Sequence, residues 1–207
     1  MPSFRYELEI LGTSPTAVIA GVDEAGRGPW AGPVVAGAAI LNHATLPDAL
    51  VRGLDDSKKL SAEKREALFE HLKTCDAAIC AIGIASVDEI DRLNILQATY
   101  LAMSRAVDGL GKKIDTALVD GNRAPPLSCR VQTIIKGDGL SLSIAAASIA
   151  AKVTRDRIMM DLAKAHPGYG WETNMGYGTA AHQRALSKLG VTPHHRRSFA
   201  PIRALLS

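Results

Sequence analysis

Three cysteines among 207 residues are too few, and too poorly spaced, to organise this chain. Cys75, Cys80 and Cys129 are odd in number, lie in apolar contexts and lack zinc-ligand spacing, which argues against a disulfide framework or a cysteine-based zinc site and predicts buried free thiols. No apolar run approaches the roughly eighteen residues of a membrane span. The opening Met1-Pro-Ser-Phe-Arg-Tyr-Glu7 has no signal-peptide core, so the expectation is a cytoplasmic protein with no membrane partner. Charge of one sign is also scarce: the net charge of +3 is too small by itself to indicate nucleic-acid binding. With no internal repeat, long linker or low-complexity tail, and 47% hydrophobic residues, residues 1–207 read as a single domain around one core.

What is present is concentrated in Gly21-Val-Asp-Glu-Ala-Gly-Arg-Gly28. Two adjacent acids leave an apolar, strand-like run and meet a glycine-flanked arginine. Adjacent carboxylates are costly to desolvate and usually need a cation, and hard divalent ions favour carboxylate oxygens. The glycines let backbone N–H groups approach a ligand, and Arg27 offers a forked donor suited to phosphate or sugar oxygens. Acids for metal beside donors for a phosphodiester suggest a nuclease, but a charged glycine turn is also an ordinary strand-to-loop connection, so further acids are needed.

Two more stand in comparable settings. The run 114–119 reads as a strand and ends in Asp120-Gly121-Asn122; a strand over 130–135 is followed by Lys136-Gly137-Asp138-Gly139 and then by a helix from Ser141 to about Ala165. Singly, Asp120 could open a turn and Asp138 could assist a helix N-terminus. Three strand exits, each with an acid next to glycine, shift the balance if one sheet gathers them. Other predicted elements are strands at 17–23, 33–41 and 77–85, a helix at 62–73 capped by Ser61, helical periodicity at 87–109, a Gly/Tyr-rich loop at 166–178 and a helix at 179–189. From Lys152 onward bases outnumber acids and four of the six histidines occur, so a basic C-terminal surface could hold a phosphate backbone; solvated helix faces are an equal reading.

The chain resembles the bacterial ribonucleases HII, the type 2 ribonucleases H. The likeness spans almost its whole length: Gly21 to Pro29, Asp56-Ser-Lys-Lys-Leu60, Asn94-Ile-Leu96, Asp120-Gly-Asn-Arg123, Lys136-Gly-Asp138, Ser143 to Asp156, Gly176-Tyr177 and His194 to Phe199. The resemblance implies an α/β ribonuclease H-like fold, a mixed five-stranded sheet flanked by helices with a helical C-terminal part. It implies hydrolysis of the RNA strand of RNA–DNA hybrids and, as in ribonucleotide excision repair, incision 5′ of single ribonucleotides embedded in duplex DNA. Asp23, Glu24, Asp120 and Asp138 would be the acidic quartet, with Mg²⁺ or Mn²⁺ as cofactor. Gly26, Arg27 and Gly28 would sense the ribose 2′-hydroxyl, and Tyr177 would stack on the next sugar. Met175 and Gly178 depart from the usual lysine before Gly-Tyr and proline after it.

Consecutive Asp23 and Glu24 would point to opposite faces of a regular strand, so one centre can use both only if the strand ends or bends there, which the glycine turn permits. The cluster could then hold two Mg²⁺ ions about 3.5–4 Å apart for in-line displacement leaving 3′-hydroxyl and 5′-phosphate ends. Ser57 and Lys58 could hold a phosphate or form a cap with a solvated lysine, and Asn122 could be a turn residue or a substrate contact. Ser148 reads as a buried hydroxyl bonded to backbone, and His194 to Arg197 as nucleic-acid contacts or a segment folded onto the core. A monomer is expected. An inert nucleic-acid-binding module of the same fold would need a broken acidic quartet, and a phosphate-binding loop at Gly21–Gly28 lacks a following Gly-Lys-Ser/Thr.

Overall fold

In the computed structural model, which describes residues 1–206, the apolar runs form five strands: β1 (Ile19–Ala25), β2 (Val34–Leu41), β3 (Ala78–Ala85), β4 (Thr116–Asp120) and β5 (Arg130–Ile134). They make one mixed sheet in the order β3-β2-β1-β4-β5. β2 is antiparallel to both β1 and β3, whereas β1–β4 and β4–β5 are parallel. The helices are α1 (Arg5–Thr13), α2 (Asp48–Gly53), α3 (Ala62–Thr74), α4 (Val87–Leu93), α5 (Ile95–Gly109), α6 (Leu142–Ala165), α7 (Trp171–Asn174), α8 (Ala180–Leu189) and α9 (Ala200–Arg203).

Period-two alternation sorts β1 by face. Ala20 and Val22 pack with Ala98, Ala102 and Met103 of α5, while Ile19 packs with Leu118, Ile134 and Ile144 on the α6 side. At Gly21 a Cβ would collide with the Ser143–Ile144 backbone, and at Gly37 with the Ala147 carbonyl. Glycine is required there by close approach, and the alanines of α6 serve the same end. Fully buried Leu142, Ile144 and Ile149 anchor this helix, each contributing on the order of 1.5–3 kcal/mol.

Polar side chains set the boundaries. Ser61, Ser141 and Thr179 cap α3, α6 and α8, and Ser86 with Glu89 forms a capping box at the start of α4. The helical stretch expected over 87–109 is two helices: Asn94 takes φ 71° and its side chain accepts from the amides of Leu96 and Gln97, ending α4 and starting α5. Helix α7 lies inside the segment expected as loop, and α1, α2 and α9 were not expected from periodicity. Tertiary contacts fix α1: the buried Glu7 carboxylate accepts from Ser141 Oγ (2.7 Å) and the Ser143 amide (3.1 Å).

The cysteines are free but only partly buried, a correction to the expectation of full burial. Burial still pushes the Cys80 thiol up to about 12, which keeps it protonated and inert at neutral pH. Among the described residues no helix is long and apolar enough to cross a membrane.

Candidate active site

The parallel ladder between β1 and β4 ends at Val22–Val119, so the next residues, Asp23 and Asp120, stand side by side where the sheet opens. Strand β1 neither ends nor bends at its acids, contrary to the expectation: it stays in register with β2 through Ala25–Val35. Asp23 therefore turns to the α6 side and Glu24 to the α5 side, yet both reach one cavity because β4 stops at Asp120. From β5 the chain passes through Lys136, in the left-handed region at φ 58°, into a 3₁₀ turn over Gly137–Gly139 that presents Asp138.

A cavity of about 310 Å³ is lined by Asp23, Glu24 and Asp120 together with Gly26, Arg27, Gly28, Ser57, Lys58 and Tyr177. Asp138 lines an adjoining cavity that shares Asp120 and Lys58, and Asn122 another that shares Asp120, Glu24 and Arg27. The predicted residues thus meet around Asp120, though not all in one depression. Ser57 is buried in a 3₁₀ turn over Ser57–Lys59, while Lys58 is mostly exposed with its Nζ 3.7 Å from Asp138 Oδ2. Arg27 Nη1 lies 3.3 Å from Glu24 Oε1.

Burial is the first cause of the charge imbalance. It raises Asp23 well above the usual carboxylate range, and Glu24 and Asp120 add to the effect by repulsion; hydrogen bonds from the Ser148 hydroxyl and the Glu24 amide work against it. Glu24 is raised by burial despite Arg27, and Asp138 by burial, Asp120 and Asp56 despite Lys58. At Lys58 burial opposes the charge, but Asp138, Asp23, Asp56 and Asp120 outweigh it and raise its proton affinity. Hard oxygen donors that repel one another fit a divalent cation by type and by charge. Among the described residues no three His, Cys, Asp or Glu side chains converge into a ready metal cage. Protein donors engage the acids instead: Glu24 N–H on Asp23 (2.7 Å), Arg27 on Glu24, Gly137 N–H on Asp120 (2.6 Å) and Lys58 on Asp138.

Three polar residues that line the cavity fall outside the site residues expected from the sequence: Ser148, Lys152 and Arg155. Their spacing puts them on one face of α6, and that periodicity is the signal that could have found them. Ser148 Oγ meets Ser57 Oγ at 3.0 Å and bonds Asp23, rather than the backbone. Lys152 pairs with Asp156 at 2.8 Å.

Of the bases expected to form a C-terminal basic surface, Arg184, Lys188, Arg197 and Arg203 are exposed, and the correction falls on Arg155 and Arg196. Arg155 and Arg196 are 1% and 0% exposed, and His182 and His195 are also buried. His194 and His195 fold onto a cluster around Trp171 and Tyr169; only Arg197 of the His194–Arg197 run is exposed. Met175, left-handed at φ 49°, packs against the same cluster and its carbonyl accepts from Arg155.

Acids gathered at the open end of a mixed sheet in the order β3-β2-β1-β4-β5, beside Arg27 and Lys58, have the architecture of a metal-dependent nuclease of the ribonuclease H fold. Residues 20–202 match the family described as Ribonuclease HII. The chain is 59% identical over 202 residues to the ribonuclease HII of Paramagnetospirillum magneticum, covering 98% of this chain and 97% of that protein. It is 60% identical over 189 residues to that of Rhodospirillum rubrum, covering 91% and 87%. Among solved structures, ribonuclease H2 from Pyrococcus horikoshii OT3 superposes with a TM-score of 0.74 at 29% identity, over 90% of this chain and 96% of that one. RNase HII from Archaeoglobus fulgidus, solved in complex with PCNA, gives 0.73 at 25% identity, over 91% and 97%. The chain belongs to the ribonuclease HII family, and it is a divalent-metal-dependent endoribonuclease acting on RNA–DNA hybrids.

Proposed function

We propose that Asp23, Glu24, Asp120 and Asp138 hold Mg²⁺ or Mn²⁺, and that the enzyme also incises 5′ of single ribonucleotides embedded in duplex DNA. The observation that carries this reading is the meeting of Asp23, Glu24 and Asp120 in one cavity whose rim holds Gly26–Gly28, Lys58 and Tyr177. Two such ions would supply an activated water and charge stabilisation at the leaving 3′-oxygen. A solved RNase HIII of this fold is a complex with Mn²⁺, which supports the choice of ions.

The chain's own residues do the binding and orienting. Lys58, exposed and adjacent to Asp138, offers an ammonium to the phosphodiester. Ser148 and Ser57 hold Asp23 in place through their linked hydroxyls. Gly26, Arg27 and Gly28 read the 2′-hydroxyl at close range, and Tyr177, 49% exposed, presents its ring to the following sugar. Asn122 contacts the strand from the α5 side. The phosphate-loop alternative loses its basis, since Gly21 to Ala25 is strand rather than loop. The inert-module alternative is disfavoured by the intact acid set. We further read residues 1–207 as one domain, acting as a cytoplasmic monomer. End-group mapping on a Mg²⁺-treated duplex with one ribonucleotide tests the reading: a cut on its 5′ side with 3′-hydroxyl and 5′-phosphate ends is expected, and a 3′-side cut or a cyclic phosphate contradicts it.

A further inference from the structure

Two buried guanidiniums lie behind the recognition elements, and every acceptor they reach is a backbone carbonyl. Arg196 donates from Nη2 to Gly26 O (2.6 Å) and Pro33 O (3.1 Å), from Nη1 to Arg27 O (2.9 Å) and from Nε to Gly32 O (2.9 Å). Arg155 donates from Nε to Pro33 O (3.1 Å), from Nη2 to Ala31 O (3.2 Å) and from Nη1 to Met175 O (3.1 Å). Burying a charge without a carboxylate is costly, so an arrangement that does it twice needs a return elsewhere.

The peptide geometry shows what is gained. In a trans peptide the carbonyl and the following amide point in opposite directions. Drawing the Gly26 and Arg27 carbonyls onto Arg196 therefore turns the Arg27 and Gly28 N–H groups the other way, and both residues line the cavity. Arg155 meanwhile joins segment 31–33 to the loop that carries Tyr177. Steric contacts repeat the link: a Cβ on Gly26 would strike the Arg155 guanidinium, one on Gly176 would come 2.6 Å from the Ala31 carbonyl, and one on Gly178 would strike the Trp30 ring. The backbone adds Trp30 N–H to Gly176 O (2.8 Å) and Arg196 N–H to Trp30 O (2.8 Å).

We infer that Arg155 and Arg196 are positioning residues for ribonucleotide recognition, locking Gly26–Gly28 and the Tyr177 loop into one unit with the Arg27 and Gly28 amides aimed at the substrate. The inference rests on the proposed roles of Gly26–Gly28 and Tyr177. Neither arginine needs to touch nucleic acid. Lysine keeps the charge, but its three donors sit on one nitrogen and cannot span carbonyls that the three nitrogens of a guanidinium reach separately.

Steady-state kinetics on a duplex with one ribonucleotide, well below each variant's melting temperature, would compare Arg155→Lys, Arg196→Lys, Tyr177→Ala and the Arg155→Lys/Tyr177→Ala pair. Each arginine change should lower kcat/KM by at least ~10-fold, as misplacement of a recognition group does. Affinity for an all-DNA duplex in Ca²⁺ should change by less than about 2-fold, and Arg155→Lys should add less than about 2-fold in the Tyr177→Ala background. Full multiplication of the Arg155 and Tyr177 losses, or a folded arginine variant at wild-type kcat/KM, overturns the inference. If Tyr177→Ala alone costs nothing, the reading of Tyr177 falls, while a loss in Arg196→Lys still supports the Gly26–Gly28 half of the clasp and wild-type activity there overturns it. Hydrogen exchange on the wild type needs no variant: the Trp30, Tyr177 and Arg196 amides should open together with one urea dependence, and independent opening of Tyr177 overturns the single unit.

Discussion

Asp120 Oδ1 accepts a 2.6 Å hydrogen bond from the amide of Gly137, so the carboxylate that ends β4 also fixes the turn that presents Asp138. A carboxamide oxygen can accept the same bond. Asp120→Asn should therefore remove the charge and keep the turn, melting close to wild type while losing more than ~100-fold in kcat at saturating Mg²⁺, beyond the loss typical of groups outside the ligand shell. Asp23→Asn and Glu24→Gln should lose similarly, and Asp138→Asn less. Asp120→Ala should in addition cost about 1–3 kcal/mol of stability by stranding the Gly137 amide. Wild-type turnover by Asp120→Asn would remove the acids from the mechanism.

Gly26 and Gly28 should respond differently to a side chain. Gly26 has φ 95° and lies on Arg155, whereas a Cβ at Gly28 would meet only Tyr177 Cε1, at 3.4 Å. Gly26→Val is expected to destabilise the fold by roughly 1–3 kcal/mol through strain and overpacking. Gly28→Ala should melt like wild type and still cleave the single-ribonucleotide duplex poorly. Denaturant unfolding with cleavage assays separates the two, and equal stability of both variants would contradict the packing described.

Salt dependence distinguishes the two neighbouring arginines. Arg196 is buried and Arg197 exposed, so only Arg197 is free to neutralise a phosphate. Binding of a hybrid in Ca²⁺ should weaken steeply with salt, and Arg197→Ala should flatten the log K against log salt slope by about 0.9. An unchanged slope would assign Arg197 to structure, consistent with the 2.9 Å hydrogen bond its backbone N–H donates to Asp91 Oδ2.

The buried histidine pair makes acid sensitivity predictable. Trp171 Nε1 donates to His182 Nε2 (3.1 Å) and the Thr192 amide donates to His195 Nδ1 (3.0 Å), so each ring has a nitrogen that must accept and both are neutral. Burial, followed by the repulsion that protons on both His195 and the adjoining His182 would meet, lowers His195 from the ordinary 6.5 to about 4. Below 6.5 the unfolded chain then binds more protons than the folded one, and stability falls as pH drops from 6.5 towards 4. The raised carboxylates act in the opposite sense, so the comparison is between wild type and His195→Gln, whose thermal midpoint should fall less across that window. Parallel profiles would contradict a neutral, buried His195.

Much of this was legible in the sequence because alternation and glycine mark strand exits. Asp23, Asp120 and Asp138 each follow an apolar run and adjoin a glycine or an acid, and one sheet gathers them. The continuation of β1 past its acids was not legible, since pairing with β2 depends on residues ten or more positions away. Arg155 and Arg196 were hidden for a related reason: backbone carbonyls are their partners, and no side-chain type in the sequence marks a carbonyl as an acceptor. Asn94 shows the same limit in a helix, where one left-handed residue divides a continuous apolar period.

The central claim is that an acid-bound divalent ion and a 2′-hydroxyl reader act together in one cavity. It is tested most directly by kcat/KM of the wild-type protein, with Mg²⁺ and with chelator, on three duplexes of one sequence: all-DNA, one embedded ribonucleotide and a continuous RNA–DNA hybrid. The account predicts Mg²⁺-dependent cleavage of the two ribonucleotide-containing duplexes and an intact all-DNA duplex. Cleavage that survives chelation, comparable cutting of all-DNA, or no incision at the single ribonucleotide would contradict it.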